Sequence, residues 1–131
     1  MRTVTMALVN SEDIVRLRHL VRQHAVAQGF SLVEQTKLVT AASELARNTV
    51  EYGGGGDVEV TDLVNGIRKG VRVTFIDRGS GIADIELALK DGYTTGRGLG
   101  LGLGGAKRLC DEFSIDSRVG EGTRVTIARW R

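Results

Sequence analysis

The sequence lacks proline, has one cysteine, and contains no long apolar run. A single thiol, Cys110, can form neither an intramolecular disulfide nor a cysteine-based zinc site, and this usage is typical of a reducing cytosol. No apolar run approaches the ~18 to 20 residues that cross a membrane, and the first residues carry no apolar signal-peptide core. We therefore expect an untargeted cytoplasmic protein that does not act at a membrane.

The chain also has little excess charge and few aromatic residues. The 18 basic and 16 acidic side chains leave a formal net charge of +2, and the aromatic residues are three Phe, two Tyr and one Trp. Nucleic-acid surfaces are usually marked by clustered basic residues, so this composition argues against a nucleic-acid partner. A length of 131 residues is enough for one hydrophobic core. We therefore expect a single domain over 1–131 that needs no disulfide or structural metal.

Hydrophobic periodicity and turn residues divide the chain into helices and hairpin strands. Strands are predicted over 2–9, 57–64, 70–77, 113–119 and 123–130. Helices are predicted from Asn10 or Ser11 to Gly29, from the capping box Ser31-x-x-Glu34 toward Tyr52, over 82–90 and over 101–111. This order predicts an α+β two-layer sandwich, with helices on one face of a mostly antiparallel mixed sheet.

Three polar side chains lie near the ends of these elements. Glu44 and Asn48 are four residues apart late in the second helix, so a carboxylate and an amide oxygen lie on one helix face. That pair suits a base beside a hard cation, although Glu44 could instead form an ion pair with Arg47 on the same helix. Asp77 ends an apolar strand before Gly79 and can either bind a ligand amine or make an Asx turn.

The strongest single signal is a run of alternating glycines. Eighteen residues are Gly, and seven of these fall between Gly92 and Gly105. Gly96, Gly98, Gly100 and Gly102 alternate with Arg97 and two leucines, and a helical pattern follows directly. Backbone N–H groups beside a helix start suit phosphates. A dinucleotide fingerprint starting at Gly100 is rejected because no predicted strand precedes it.

Taken in order, these segments resemble the nucleotide-binding motifs of the GHKL ATPase/kinase superfamily, whose members share the Bergerat fold. The matching segments are Glu44-x-x-x-Asn48, Asp77-x-Gly79-x-Gly81-Ile82, the alternating glycines, and Gly122-Thr123. The short chain is most similar to the anti-sigma-factor kinase branch. It departs from the usual pattern at Ser80, where proline is common, which should change loop stiffness more than chemistry.

The resemblance implies ATP and Mg²⁺ as cofactors and assigns roles to individual residues. Asn48 would be the Mg²⁺ ligand, Asp77 would accept from the adenine amine, and Glu44 would be the general base. Further nucleotide contacts would come from Gly79, Gly81, Arg97, Gly98, Gly100, Gly102 and Thr123.

It also implies protein partners. The phosphate acceptor would be a serine or threonine of a STAS-domain stressosome protein, and the kinase would afterwards activate a PP2C-type phosphatase. Two alternatives stay open: an anti-sigma factor kinase that sequesters a sigma subunit, and a non-enzymatic binding module gated by ATP. His19 and His24, five residues apart, share no helix face, so a phosphohistidine role is disfavoured.

Overall fold

The computed structural model describes residues 2–79 and 102–131, which form an α+β arrangement of three helices and five strands. The strands are β1 (Thr3–Leu8), β2 (Gly56–Asn65), β3 (Arg68–Asp77), β4 (Glu112–Arg118) and β5 (Gly122–Trp130). The helices are α1 (Ser11–Ala27), α2 (Leu32–Glu51) and α3 (Gly102–Arg108). None of these helices is long and apolar enough to cross a membrane.

The five strands form one sheet in the order β1-β2-β3-β5-β4, and every neighbouring pair is antiparallel. β5 lies between β3 and β4, so the end of β3 is paired with the beginning of β5. Asp77 and Thr123 are direct partners in that pair. The predicted α+β class is confirmed, and the sheet topology brings two distant predicted site residues together.

The core lies between the helices and one face of the sheet. Alternate strand residues face the helices, as a period of two requires. On the strands these include Val58, Val60, Val73, Phe75 and Ile127, and on the helices Leu17, Val21, Leu38 and Leu45, all at most 2% exposed. Asp77 and Thr123 continue this face to the end of the sheet, because they follow Phe75 and precede Val125 by two residues.

Both long helices begin where the sequence predicts. Asn10 caps α1, and its side chain accepts from the Asp13 N–H. Ser31 and Glu34 form the predicted capping box of α2, each side chain accepting a backbone N–H of the other residue. These contacts satisfy N–H groups that the first helical turn leaves without partners.

Polar contacts fasten α1 to the β2–β3 hairpin. His24 Nδ1 lies 2.6 Å from Asp62 Oδ1. The buried Gln28 amide donates to the carbonyls of Leu63 and Gly70, both at 2.9 Å. Since Leu63 and Gly70 are direct partners in the hairpin, Gln28 joins both strands to the end of α1.

The third described helix is shorter than predicted. The periodicity predicts a helix over 101–111, but α3 ends at Arg108. The Leu109 N–H bonds to Ala106 and the Cys110 N–H bonds to Lys107, contacts three residues apart that close the last turn. Asp111 then donates to the Ala128 carbonyl and joins the sheet. The helix predicted over 82–90 lies outside the described residues.

Candidate functional site

The C-terminal end of α2, the end of β3 and the beginning of β5 meet at one place, and they carry the predicted site residues Asn48, Asp77 and Thr123. The Asn48 carbonyl accepts from the N–H groups of Tyr52 and Gly53, both at 3.0 Å. These bonds end the helix and turn the chain toward β3. Gly53 is thereby placed directly beside Asp77.

Contact between Gly53 and Asp77 leaves no room for a side chain. A Cβ built on Gly53 would lie 2.5 Å from Cγ of Asp77, far inside van der Waals contact. A Cβ on Gly79 would likewise lie 2.8 Å from the Gly53 α-carbon. Glycine at both positions therefore lets the helix end, the carboxylate and the loop after β3 pack at backbone distance.

The Asp77 carboxylate makes the local turn that the sequence also allows. Its Oδ1 accepts from the Gly79 N–H at 2.9 Å, which is an Asx turn. A carboxylate has about four lone-pair positions on two oxygens, so this bond leaves acceptor capacity for a ligand N–H. The turn fixes the carboxylate where α2 and β3 meet, and the two interpretations of Asp77 are compatible.

Thr123 lies directly across from Asp77 on the helix-facing side of the sheet. Its hydroxyl is 2.7 Å from the Ser117 hydroxyl of β4, and Ser117 also donates to the Gly122 carbonyl. Gly122 has a φ of +97°, and a Cβ there would lie 2.1 Å from the Asp77 carbonyl oxygen. The Gly-Thr pair thus combines a close backbone approach with an oriented hydroxyl.

Glu44 is held by Arg47 one turn further along α2. The Arg47 guanidinium donates to Glu44 Oε2, and the Glu44 side chain is only 15% exposed. The ion pair that the sequence allows is therefore present. Asn48 lies four residues after Glu44 and is half-buried, so the two side chains share a helix face as predicted.

The described part of the glycine-rich segment begins at Gly102. Gly102 is the first residue of α3 and has a φ of +67°, a conformation that glycine adopts readily. The other predicted residues of this region, Gly81, Arg97, Gly98 and Gly100, lie outside the described residues. Their assigned roles stay predictions.

Two residues of the site belong to none of the predicted motifs. Gly53 follows the second predicted helix and was given no role. Arg47 was considered only as an alternative partner for Glu44. The four consecutive glycines after Tyr52 were the available signal, since ending a helix requires only one.

The chain belongs to the family of histidine kinase-, DNA gyrase B- and HSP90-like ATPases, whose model matches residues 33–131. It is 44% identical over 118 residues to the serine/threonine-protein kinase RsbT of Bacillus subtilis (strain 168), covering 90% of this chain and 89% of RsbT. The resemblance inferred from the motifs is confirmed.

Other relatives belong to the same branch. An anti-sigma F factor of Anoxybacillus flavithermus (strain DSM 21510 / WK1) is 32% identical over 104 residues, which span 76% of this chain and 71% of that protein. Among solved structures, the RsbU and RsbW domains of Rv1364c from Mycobacterium tuberculosis match with a TM-score of 0.69 and 23% identity, over 100% of this chain and 33% of that one. This structural likeness confirms the fold.

Proposed function

We propose that this chain is an ATP-dependent serine/threonine protein kinase of a partner-switching stress pathway. Its 44% identity to a serine/threonine-protein kinase over 90% of the chain supports this assignment. In this proposal one domain, residues 1–131, works in the cytoplasm and transfers the ATP γ-phosphate to a serine or threonine of a STAS-domain stressosome protein. It then binds and activates a PP2C-type phosphatase.

The juxtaposition of Asp77 with Gly53, Gly79 and Thr123 is the observation that carries the nucleotide site. A carboxylate held by an Asx turn can accept from the exocyclic amine of adenine. Gly53 and Gly79 have no side chain that would block the approach of the flat adenine ring to the backbone. Thr123, opposite Asp77, adds a hydroxyl to the same end of the site. The residues present therefore fit an adenine nucleotide.

Asn48 supplies the oxygen assigned to Mg²⁺. The described ranges contain no group of three or more His, Cys, Asp or Glu side chains able to hold an ion. Mg²⁺ in nucleotide sites keeps several waters and takes ligands from the phosphates, so it needs only one or two protein oxygens. When bound, the ion neutralises charge on the phosphate oxygens.

Glu44 is assigned as the general base that removes the proton from the attacking hydroxyl. Its partner Arg47 fixes the carboxylate on the helix face shared with Asn48. In this proposal Gly81 would allow the adenine ring to approach, and Arg97, Gly98, Gly100 and Gly102 of the glycine-rich segment would hold the phosphates. A positioned general base contributes typically 10²- to 10⁴-fold to the rate.

Two alternatives remain, each with its own supporting observation. The likeness to an anti-sigma F factor favours a kinase that also sequesters a sigma subunit, and such a partner should co-purify. The Glu44–Arg47 ion pair favours a binding module in which Glu44 performs no proton transfer. Loss of turnover on Glu44→Gln would exclude that module.

The test follows labelled phosphate from ATP to a purified STAS-domain protein, using wild type, Glu44→Gln and Glu51→Gln. Glu51 is an exposed glutamate at the end of the same helix, so it controls for the substitution itself. We expect Glu44→Gln to slow transfer by at least about 10²-fold while Glu51→Gln stays close to wild type. No transfer by wild type, or equal rates in all three, would contradict the kinase assignment.

A further inference from the structure

A second polar surface lies on the helical layer, on residues that the nucleotide site does not use. A groove of about 180 Å³ runs between α1 and α2 and is lined by Val15, Arg18, His19, Arg22 and Val39. Four of these residues belong to α1, and their spacing of three and four positions places them on one helix face. Val26 extends that face by one more turn. We call Val15, Arg18, His19, Arg22 and Val26 the α1 stripe.

The charge in the groove has one sign. Arg18 and Arg22 line it, and none of the described residues that line it is a carboxylate. The ion pairs found among residues 2–79 and 102–131 join Arg16 to Asp13, His24 to Asp62 and Arg47 to Glu44, so neither groove arginine is neutralised by one. Arg22 is held in place because it donates to Gln35 Oε1 of α2 at 3.0 Å. The groove therefore presents two guanidinium groups without a described ionic partner, one of them oriented.

Apolar residues accompany these charges. Val15 is 51% exposed and Val26 is 56% exposed, at the two ends of the α1 stripe. Exposed valines on either side of the two arginines give the α1 stripe both apolar and cationic contacts, and arginine is enriched at protein-binding surfaces.

We propose that this groove docks an acidic segment of the protein that the kinase phosphorylates. Arg18 and Arg22 are one helical turn apart, about 6 Å along the axis. That separation matches two carboxylates one turn apart on a helix or two residues apart on a strand. An apolar side chain beside them would cover Val15, which is 51% exposed.

A protein fits this groove better than a nucleic acid does. Binding to a duplex depends on neutralising many phosphates, commonly six to ten, whereas this groove offers two arginines. The sugar–phosphate backbone of a nucleic acid would also leave Val15 and Val26 exposed to water. The identity of the partner protein rests on the proposed function, but the docking chemistry rests on the groove alone.

The test is the double variant Arg18→Glu/Arg22→Glu, compared with Lys37→Glu/Lys69→Glu. Both pairs lower the net charge equally. Lys37 and Lys69 are exposed, and Lys37 lies about 200° around α2 from Val39, away from the groove. For each variant, initial rates of phosphate transfer to a purified STAS-domain protein give two values, the KM for the STAS-domain protein and the KM for Mg-ATP. The same STAS-domain protein is titrated against each variant at low and high salt.

We expect the groove variant to raise the KM for the STAS-domain protein at least about tenfold, with an unchanged KM for Mg-ATP. Wild-type affinity should fall with added salt, while that of the groove variant should hardly change. Equal KM values in both double variants would overturn the docking proposal. So would duplex DNA binding that the groove variant loses while its KM for the STAS-domain protein stays normal.

The same experiment distinguishes a wrong kinase assignment from a wrong docking proposal. If wild type transfers no phosphate, the proposed function fails and the titration decides the docking. Binding of the STAS-domain protein that only the groove variant loses would support the groove. Absence of binding by wild type would overturn it.

Discussion

Gly53 places its α-carbon directly against the carboxylate of Asp77, so that a Cβ at position 53 would lie 2.5 Å from Asp77 Cγ. The same glycine donates its N–H to the Asn48 carbonyl. One residue without a side chain therefore connects the predicted metal ligand on α2 with the predicted adenine contact on β3.

Gly53→Ala should damage the nucleotide site more than the fold. Its φ is not positive, so the substitution is unfavourable only because the methyl group displaces Asp77. We expect Mg-ATP affinity to fall at least about tenfold, measured by calorimetric titration.

Gly66→Ala is the control: its φ of +64° strains an alanine, but nothing lies within 4 Å of the new Cβ. That variant should lose about 1 kcal/mol of stability and keep its Mg-ATP affinity. Equal Mg-ATP affinity in both variants would argue against the Gly53–Asp77 contact as part of the site.

Arg47→Met should slow phosphate transfer without weakening nucleotide binding. Arg47 orients Glu44 and is not assigned a contact with ATP. A small misplacement of a catalytic group can cost up to about 10²-fold in rate, so we expect kcat to fall by 10- to 100-fold at constant KM for Mg-ATP. Arg47→Lys, which keeps the charge, should recover part of the rate. An unchanged kcat would show that the ion pair is only structural.

Gln28→Leu should destabilise the fold and leave the site intact. Losing the amide removes two hydrogen bonds to the carbonyls of Leu63 and Gly70, which keep each other as partners in the hairpin. The net contribution of such a bond is about 0.5–1.5 kcal/mol, so the free energy of unfolding should drop by about 1–3 kcal/mol in urea titrations. Gln23→Leu, at an exposed position of the same helix, serves as the control and should change little. A Gln28 variant as stable as wild type would contradict the fastening role.

Acid should weaken the beginning of α1 through Asp13. The hydrogen bond from Arg16, followed by that from the Val9 N–H, lowers the pKa of Asp13 from its usual value of 3.8. A lowered pKa contributes stability above the unfolded value and loses it as the pH falls through the folded one. The stability difference between wild type and Asp13→Asn should therefore be largest near neutral pH and shrink below about pH 4. Urea titrations from pH 7 to 3 measure it, and a difference independent of pH would contradict this origin.

Local rules explain which features the sequence predicted. The capping box at Ser31 and the hairpin at Asn65-Gly66 depend on neighbouring residues, and both helix starts and both hairpins were correct. The predicted end of α3 was wrong because the Asp111 N–H donates to the Ala128 carbonyl on a strand distant in sequence. Gly53 was missed for the same reason, since its constraint comes from Asp77 across the fold.

Thermal unfolding with and without Mg-ATP, for wild type and Asp77→Asn, tests the nucleotide site most directly. At a ligand concentration of about 100 Kd, binding to the native state adds about 2.7 kcal/mol, which raises the Tm of a domain this size by roughly 8 °C. Asp116→Asn, an exposed carboxylate on β4, is the matched control. We expect wild type and Asp116→Asn to shift while Asp77→Asn does not. An equal shift in all three, or none in wild type at millimolar Mg-ATP, would contradict the assignment of Asp77 and the nucleotide site built around it.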